Sequence, residues 1–310
     1  MKRKLGRLLV PTILVIWIAL RFDLGEALKR IASIDPMFFG LALIAFSVML
    51  AVRAWRWLIV VRLLGIDTPT AVVVRSFALG FAGSALLGEG LGSLGRLYDM
   101  RLAGADAKTT GFAVVFDKAY DVLVLVALAP VAAIVLPSDT TRLTPATITL
   151  LVLAVLGLAI LALSPAGMRT LGRLLARLFP RRPKLAGLGS LGDRMGPRHH
   201  TAVAALSLGA RFAQFTFVWL LALGLDIPIS LLEMSAIMTF VGAVVFLPIS
   251  ISGLGIRDLS MIGLFALIGY PSASALSLSV AVFAVTVTAR LVVGIAWASL
   301  RSTSSVDTHL

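Results

Sequence analysis

Apolar stretches close to the length of a bilayer crossing recur along the whole chain, and this constrains the fold more than any other feature. Crossing the hydrocarbon layer as a helix takes roughly 20 apolar residues, over a thickness of about 30 Å. Such stretches occupy 8–20 with its neighbours, 37–58, 109–136, 146–163, 201–223 and 272–299, and none shows the alternation of a half-buried strand. Hydrophobic residues make up 59% of the 310, where a soluble domain carries about 45–50%. Lipid offers backbone groups no partners, so each segment must satisfy its own. The sequence therefore predicts an all-α polytopic membrane protein, one transmembrane domain over 1–310.

The formal charge is +13, yet the basic residues sit in short loops beside apolar segments. That placement fits the positive-inside rule rather than nucleic-acid binding. Cysteine is absent and the histidines are His199, His200 and His309, so thiol chemistry is excluded and neither metal nor cofactor is expected. Lys2, Arg3, Lys4 and Arg7 precede the first apolar run, and Arg21 and Asp23 follow it where a leader would be cleaved. The expectation is a retained first helix with a cytoplasmic N-terminus, followed by an amphipathic surface helix over 24–34. Arg53, Trp55, Arg56, Trp57 and Arg62 close the next span and read as an anchor at the cytoplasmic interface. The loop 164–200 sets eight basic residues against Asp193 alone and is predicted to be cytoplasmic, either touching anionic headgroups or acting only to fix topology.

Two apolar segments are interrupted. In 71–102, Gly83, Gly88, Gly90, Gly92 and Gly95 accompany Glu89 and Arg96; in 231–268, Pro248, Gly253 and Gly255 precede Arg257. So much glycine predicts a broken helix or hairpin. Gly90-Leu91-Gly92 returns as Gly253-Leu254-Gly255 at a shift of 163, and the same shift carries Thr109 onto Ser272. The halves are thus about 37–136, with hairpin 71–102, and about 201–299, with hairpin 231–268. Counting orientations, the first broken segment opens from the cytoplasm and the second from outside, with the C-terminus cytoplasmic. The predicted architecture is about six full spans plus two re-entrant hairpins in an inverted repeat, which places a substrate site near mid-membrane. The alternative is that each broken segment forms two ordinary spans.

Charged side chains inside a span cost about 2.5–3.5 kcal/mol each and must face protein or water. Asp117 and Asp121 share a helix face, and Lys118 can pair with Asp121. This trio, with Asp258, is either structural or a charge network coupled to transport. Arg96, Arg257 and Arg290 suit a phosphate headgroup, because guanidinium binds it bidentately and keeps its charge. Glu89, Gly90, Gly92, Gly253 and Gly255 complete the candidate substrate site, the glycines by letting backbone approach the headgroup. Pairing with Asp258 and snorkelling toward the interface are the competing readings of Arg257 and Arg290.

Taken together, Arg53 to Trp57 with Gly65, Gly92 to Arg96 before Tyr98, Asp117-Lys118 with Asp121, and Leu247-Pro248 through Gly253-Leu254-Gly255-Ile256-Arg257-Asp258 form a recognisable set. It resembles the flippase-like transmembrane domain of the lysylphosphatidylglycerol synthetase family. Ser84, Leu87-Gly88 and Ser93 depart from the family's Asn, Leu-Pro and acid, and Asp117-Lys118 from its Glu-Arg. The resemblance implies a lipid flippase or scramblase in a bacterial or archaeal cytoplasmic membrane, moving a phospholipid, an aminoacyl-phospholipid or a lipid-linked sugar. It also implies a stand-alone form that is not an enzyme, its substrate supplied by a separate lipid synthase or glycosyltransferase. Two other functions fit the residues alone: an intramembrane lipid-modifying enzyme using Glu89, Asp117 and Asp121, and a non-transporting partner of such a synthase.

Overall fold

The computed structural model of the protein describes residues 32–136, 196–245 and 256–303, together with 150, 153 and 157. Eight helices are defined among them, with no strand: α1 (Pro36–Leu63), α2 (Thr70–Gly92), α3 (Leu94–Leu102), α4 (Ala107–Val135), α5 (Pro197–Gly224), α6 (Leu231–Val245), α7 (Ile256–Leu267) and α8 (Ser272–Thr303). Four are long and apolar enough to cross a membrane, namely α1, α4, most of α5 and most of α8. These are the spans expected at 37–58, 109–136, 201–223 and 272–299. The span expected at 8–20 and the amphipathic helix up to 31 lie outside the described residues, as does the basic loop up to 195. Within the span expected at 146–163, the described positions Leu150, Leu153 and Gly157 are helical and exposed.

Local chemistry sets the helix ends. At the start of α1, the Asp35 carboxylate accepts from the Met37 and Phe38 amides at 2.8 and 3.3 Å, and Pro36 takes the first turn. Its end is a left-handed cap: Gly65 has φ 70° and the Ile66 amide reaches back to the Val61 carbonyl at 3.2 Å. The same cap closes α5, where Asp226 has φ 56° and the Ile227 amide bonds the Ala222 carbonyl at 3.0 Å. Both helices have 28 residues and begin on proline, so α1 maps onto α5 at a shift of 161. Asp106 caps α4 through the Thr109 amide and hydroxyl, each at 2.7 Å. Those two bonds hold its carboxyl below the ordinary carboxylate range. With the folded pKa depressed, the cap's contribution is complete at neutral pH and is lost as pH falls through that lowered value.

The first interrupted segment reverses direction. Residues eight apart on a straight helix lie about 12 Å from each other, yet a Cβ on Gly92 would stand 2.3 Å from the Ser84 Cα. α2 must therefore turn between these residues, and α3 returns along it. Gly95 faces the Leu79–Gly80 backbone, and farther along Arg75 bonds Asp99 at 3.0 Å. In the second segment α6 and α7 also pack together, residues 246–255 between them lying outside the description. At about 1.5 Å per residue, the 15 residues of α6, 12 of α7 and 9 of α3 each fall short of a full crossing.

α1 and α5 form the most extensive helix contact and run antiparallel, as the Asp35 amide to Gly224 carbonyl bond (3.0 Å) and the Arg56 to Ser207 bond (2.7 Å) require. One buried cluster joins the first part of α1 to α5, α6, α7 and α8 through Phe46, Phe215, Ile237, Phe265 and Leu278. A second gathers Trp57, Val61, Phe77, Met100 and Phe116 from α1 to α4. Ile44, Val115, Leu259 and Val292 are exposed apolar residues on four different helices, as a lipid-facing surface demands.

Gly92→Ala is expected to lower the melting temperature of the detergent-solubilised protein by several degrees, because the new methyl meets backbone at the hairpin turn. Gly111→Ala, where nothing lies within 4 Å, should be neutral or raise it by up to about 1 kcal/mol equivalent. Fluorescence-detected thermal unfolding of both variants checks the contrast.

Candidate functional site

Each charged residue brought into the bundle must find a counter-charge, and the two α4 carboxylates organise this pairing. Asp117 is fully buried and receives two arginines: Arg56 Nε at 2.8 Å on one oxygen and Arg96 at 2.7 Å on the other. Asp121, one turn on, receives the same Arg56 at 2.7 Å and Lys118 at 3.3 Å. The Ser207 hydroxyl on α5 accepts the remaining bond from Arg56. Arg96 is further held between Trp57 and Phe77, its guanidinium 4.8 Å from each ring centre. Four helices, α1, α3, α4 and α5, thus meet at one charge cluster.

Arg56 is the main departure from the expectation of an interface anchor. Its side chain is 1% exposed and Trp57 is fully buried, while Trp55 remains exposed. α1 continues to Leu63, which sets Arg56 about two turns, or some 10 Å, inside the helix end. The Asp117-Lys118-Asp121 trio is therefore not self-contained, since both acids depend on Arg56 from another helix.

Beside the cluster lies a cavity of about 120 Å³ between the two halves. Arg53 of α1, Arg211 and Gln214 of α5, Arg257 of α7 and Arg290 of α8 supply its polar lining, and Phe46, Phe81, Phe217 and Phe283 much of the rest. Among the described residues, no Asp or Glu lines it. Arg53 and Arg211 both donate to the Gln214 amide oxygen, at 3.0 and 2.9 Å. Arg257 bonds Asp258 at 3.0 Å and lies 5.5 Å from the Phe283 ring, while Arg290 lies 5.6 Å from Phe81. Asp258 in turn accepts from the Ser279 hydroxyl. A smaller neighbouring space is bounded by Arg53, Arg56, Arg96, Lys118, Asp121 and Arg290. Arg53, Phe81 and Arg290 border both spaces.

Of the candidate residues, Arg257 and Arg290 border the larger cavity and Arg96 the smaller one. Gly92 sits in the turn of the first hairpin against Ser84. Gly90 belongs to α2, and the side chain of Glu89 is outside the described set, as are Gly253 and Gly255. Sequence reasoning missed Arg53, Arg56, Arg211 and Gln214 as members. Arg211 is buried. The available signal was the offset of three between Arg211 and Gln214, one helix turn, on a span otherwise almost free of charge. Among the described residues, no cluster of His, Cys, Asp and Glu fit for a metal is present. A separate cleft of about 290 Å³, between Leu128, Val131, Phe212, Leu232 and their neighbours on α4, α5 and α6, is nearly all apolar and offers no charge for a headgroup.

The family described as lysylphosphatidylglycerol synthase TM region matches residues 5–294. Comparison with curated proteins and with solved structures gives no match.

Asp117→Asn is expected to destabilise the protein by about 3–5 kcal/mol, because Arg56 and Arg96 lose their shared carboxylate while still buried. Arg56→Met combined with Asp117→Asn should cost less than the sum of the single changes. Denaturant titration of the three variants in one detergent measures that coupling; strict additivity would contradict the cluster.

Proposed function

The chain belongs to the family of the lysylphosphatidylglycerol synthase TM region, and on that premise we propose that it moves a phosphate-bearing lipid between the leaflets of a bacterial or archaeal cytoplasmic membrane without altering it chemically. The observation that carries this reading is the cavity where Arg53, Arg211, Arg257 and Arg290 converge from four helices, with no acid among the described lining residues. Guanidinium groups gathered at one cavity surface attract an anionic headgroup, and they suit phosphate in both charge and shape. The phenylalanines between them suit the glycerol and upper acyl region, while the chains stay in lipid.

An inverted repeat provides the means of alternating exposure. It is supported by α1 and α5, which match in length, first residue and final cap, and which run antiparallel. Arg53 and Gln214 occupy equivalent positions at the shift of 161 and bond each other. The Phe46–Phe217 contact (5.0 Å) on one side of that point answers the Arg56–Ser207 contact on the other, again between equivalent positions. This is the pattern of a local two-fold axis passing through the cavity. The hairpin arms α2–α3 and α6–α7, each with an arm too short to cross, are then re-entrant from opposite faces. Both termini are cytoplasmic in this arrangement, and the basic loop 164–200 meets anionic headgroups there. A separate synthase or glycosyltransferase supplies the lipid.

Reconstituted into liposomes with an acyl-labelled fluorescent anionic phospholipid, the protein should expose inner-leaflet label to added dithionite. Arg257→Gln and Arg290→Gln should slow that loss roughly tenfold, equivalent to about 1.4 kcal/mol in the barrier. Arg62→Gln, outside the cavity and bonded to Thr70, should behave as wild type. Unchanged rates in both cavity variants would refute the assignment.

A further inference from the structure

Gln214 stands where the two halves meet, and its neighbours fix how its amide is turned. The amide oxygen accepts from Arg53 of α1 at 3.0 Å and from Arg211, one turn earlier on α5, at 2.9 Å. Guanidinium groups only donate, so the oxygen must face them and the amide nitrogen must face away. That nitrogen makes no hydrogen bond among the described residues, nor is it closed off as a buried atom without a partner. It is therefore open to the cavity that Gln214 lines.

Arg53 depends on this contact more than Arg211 does. Among the described residues Arg53 makes one hydrogen bond, the one to Gln214, whereas Arg211 also reaches the Asp121 carbonyl at 3.5 Å. Asp121 lies near enough to feel both charges, yet its carboxylate is bonded by Arg56 and Lys118. The equivalence of α1 and α5 gives a reason for a glutamine here. Position 53 maps onto 214 at the shift of 161, so a residue at this point meets its own counterpart across the local two-fold axis. A second arginine would set like charges together, and a glutamate would tie Arg53 and Arg211 into an ion pair. Glutamine accepts from both and cancels neither charge.

We propose that Gln214 is the positioning residue of a phosphate subsite in this cavity: its oxygen holds Arg53 and Arg211 side by side, and its amide nitrogen donates to a phosphate oxygen beside them. The subsite rests on the reading of the cavity as the headgroup site. It engages the phosphate that phospholipids, aminoacyl-phospholipids and lipid-linked sugars all carry, so it serves each of these heads without choosing among them. Neutrality of the amide is what the subsite requires. Gln214→Glu keeps the shape and the accepting oxygen, but it removes the N–H donors and pairs with both arginines, an internal ion pair that a phosphate must then displace. Such a variant should hold its own structure at least as well as wild type while binding phosphate less well. A residue with a structural role alone would not separate stability from affinity in that direction.

The test compares full-length wild type, Gln214→Glu and Gln214→Met in dodecyl maltoside, a detergent without phosphate, by thermal unfolding and by titration with dioctanoyl phosphatidylglycerol and with inorganic phosphate. Gln214→Glu should melt no lower than wild type and bind the lipid at least about tenfold more weakly. Gln214→Met, similar in length but without donor or acceptor, should bind it at least about threefold more weakly, and this variant decides if the glutamate variant does not fold. Parallel losses with inorganic phosphate place the contact on phosphate from either source. Loss with the lipid alone, with inorganic phosphate binding to none of the proteins, places it on a lipid-borne phosphate. Wild-type affinity for the lipid in either variant overturns the role. So does a folded glutamate variant that loses stability and affinity together, or one that binds inorganic phosphate as wild type does while losing the lipid. Weaker binding in Arg257→Gln with no effect at Gln214 refutes the role of Gln214 and leaves the cavity as the headgroup site. Failure of wild type to bind either probe refutes the cavity reading, and the role of Gln214 with it.

Discussion

Two carboxylates one turn apart on α4 determine where the other charged groups of the membrane interior can stand. Among the described residues Arg56 bonds Asp117, Asp121 and Ser207, and Arg96 bonds Asp117. A guanidinium so deeply placed is tolerated only because its counter-charges come from a different helix at hydrogen-bonding distance. The consequence is geometric as well as energetic. Fixing Arg56 fixes the rotation of α1, and one turn earlier on the same helix this directs Arg53 into the cavity. The acids thereby spare Arg53 from pairing, although they never touch it.

α1 and α5 share length, first residue and final cap without sharing this charge plan. At one end of the α1–α5 contact the equivalent positions hold Arg56 with Ser207, and at the other Phe46 with Phe217. α8, which follows the second hairpin as α4 follows the first, contains no acid. Its Arg290 faces the cavity rather than a carboxylate on its own helix.

Much of this was legible in the sequence. The four described spans follow from apolar length, and the hairpin turn from the glycines around Gly92, since lipid-exposed helices seldom carry so many. Arg96, Arg257 and the α4 acids stood out because charge inside a span has to be accounted for. Arg56 escaped because Arg53, Trp55, Arg56 and Trp57 look like an interfacial girdle; the pattern does not reveal that the helix runs on to Leu63. The equivalence of the α1 and α5 caps escaped for a different reason. Gly65 and Asp226 are chemically unlike, yet both accept the left-handed conformation, so the match exists in backbone angles rather than in letters. Which acid meets which arginine depends on helix rotation, and apolar residues on nearly every face of these helices leave rotation unmarked.

The ion pairs on the two hairpin arms also differ in what motion would cost. Arg96 of α3 bonds an acid on α4, so sliding α3 along α4 separates opposite charges in a region of low dielectric. Arg257 bonds Asp258, its neighbour on α7, and this pair travels with the helix. Toward α8, the Ser279 hydroxyl bonds Asp258, the Ser279 carbonyl lies 3.4 Å from Arg257, and the Phe283 ring lies 5.5 Å from the same guanidinium, all contacts with neutral residues. Displacing α7 exchanges such bonds for others at small net cost, whereas displacing α3 pulls the buried Arg96 guanidinium away from Asp117. Of the two arms, the first is therefore tied to its neighbouring span by a charged pair between helices, while the ion pair of the second lies within α7.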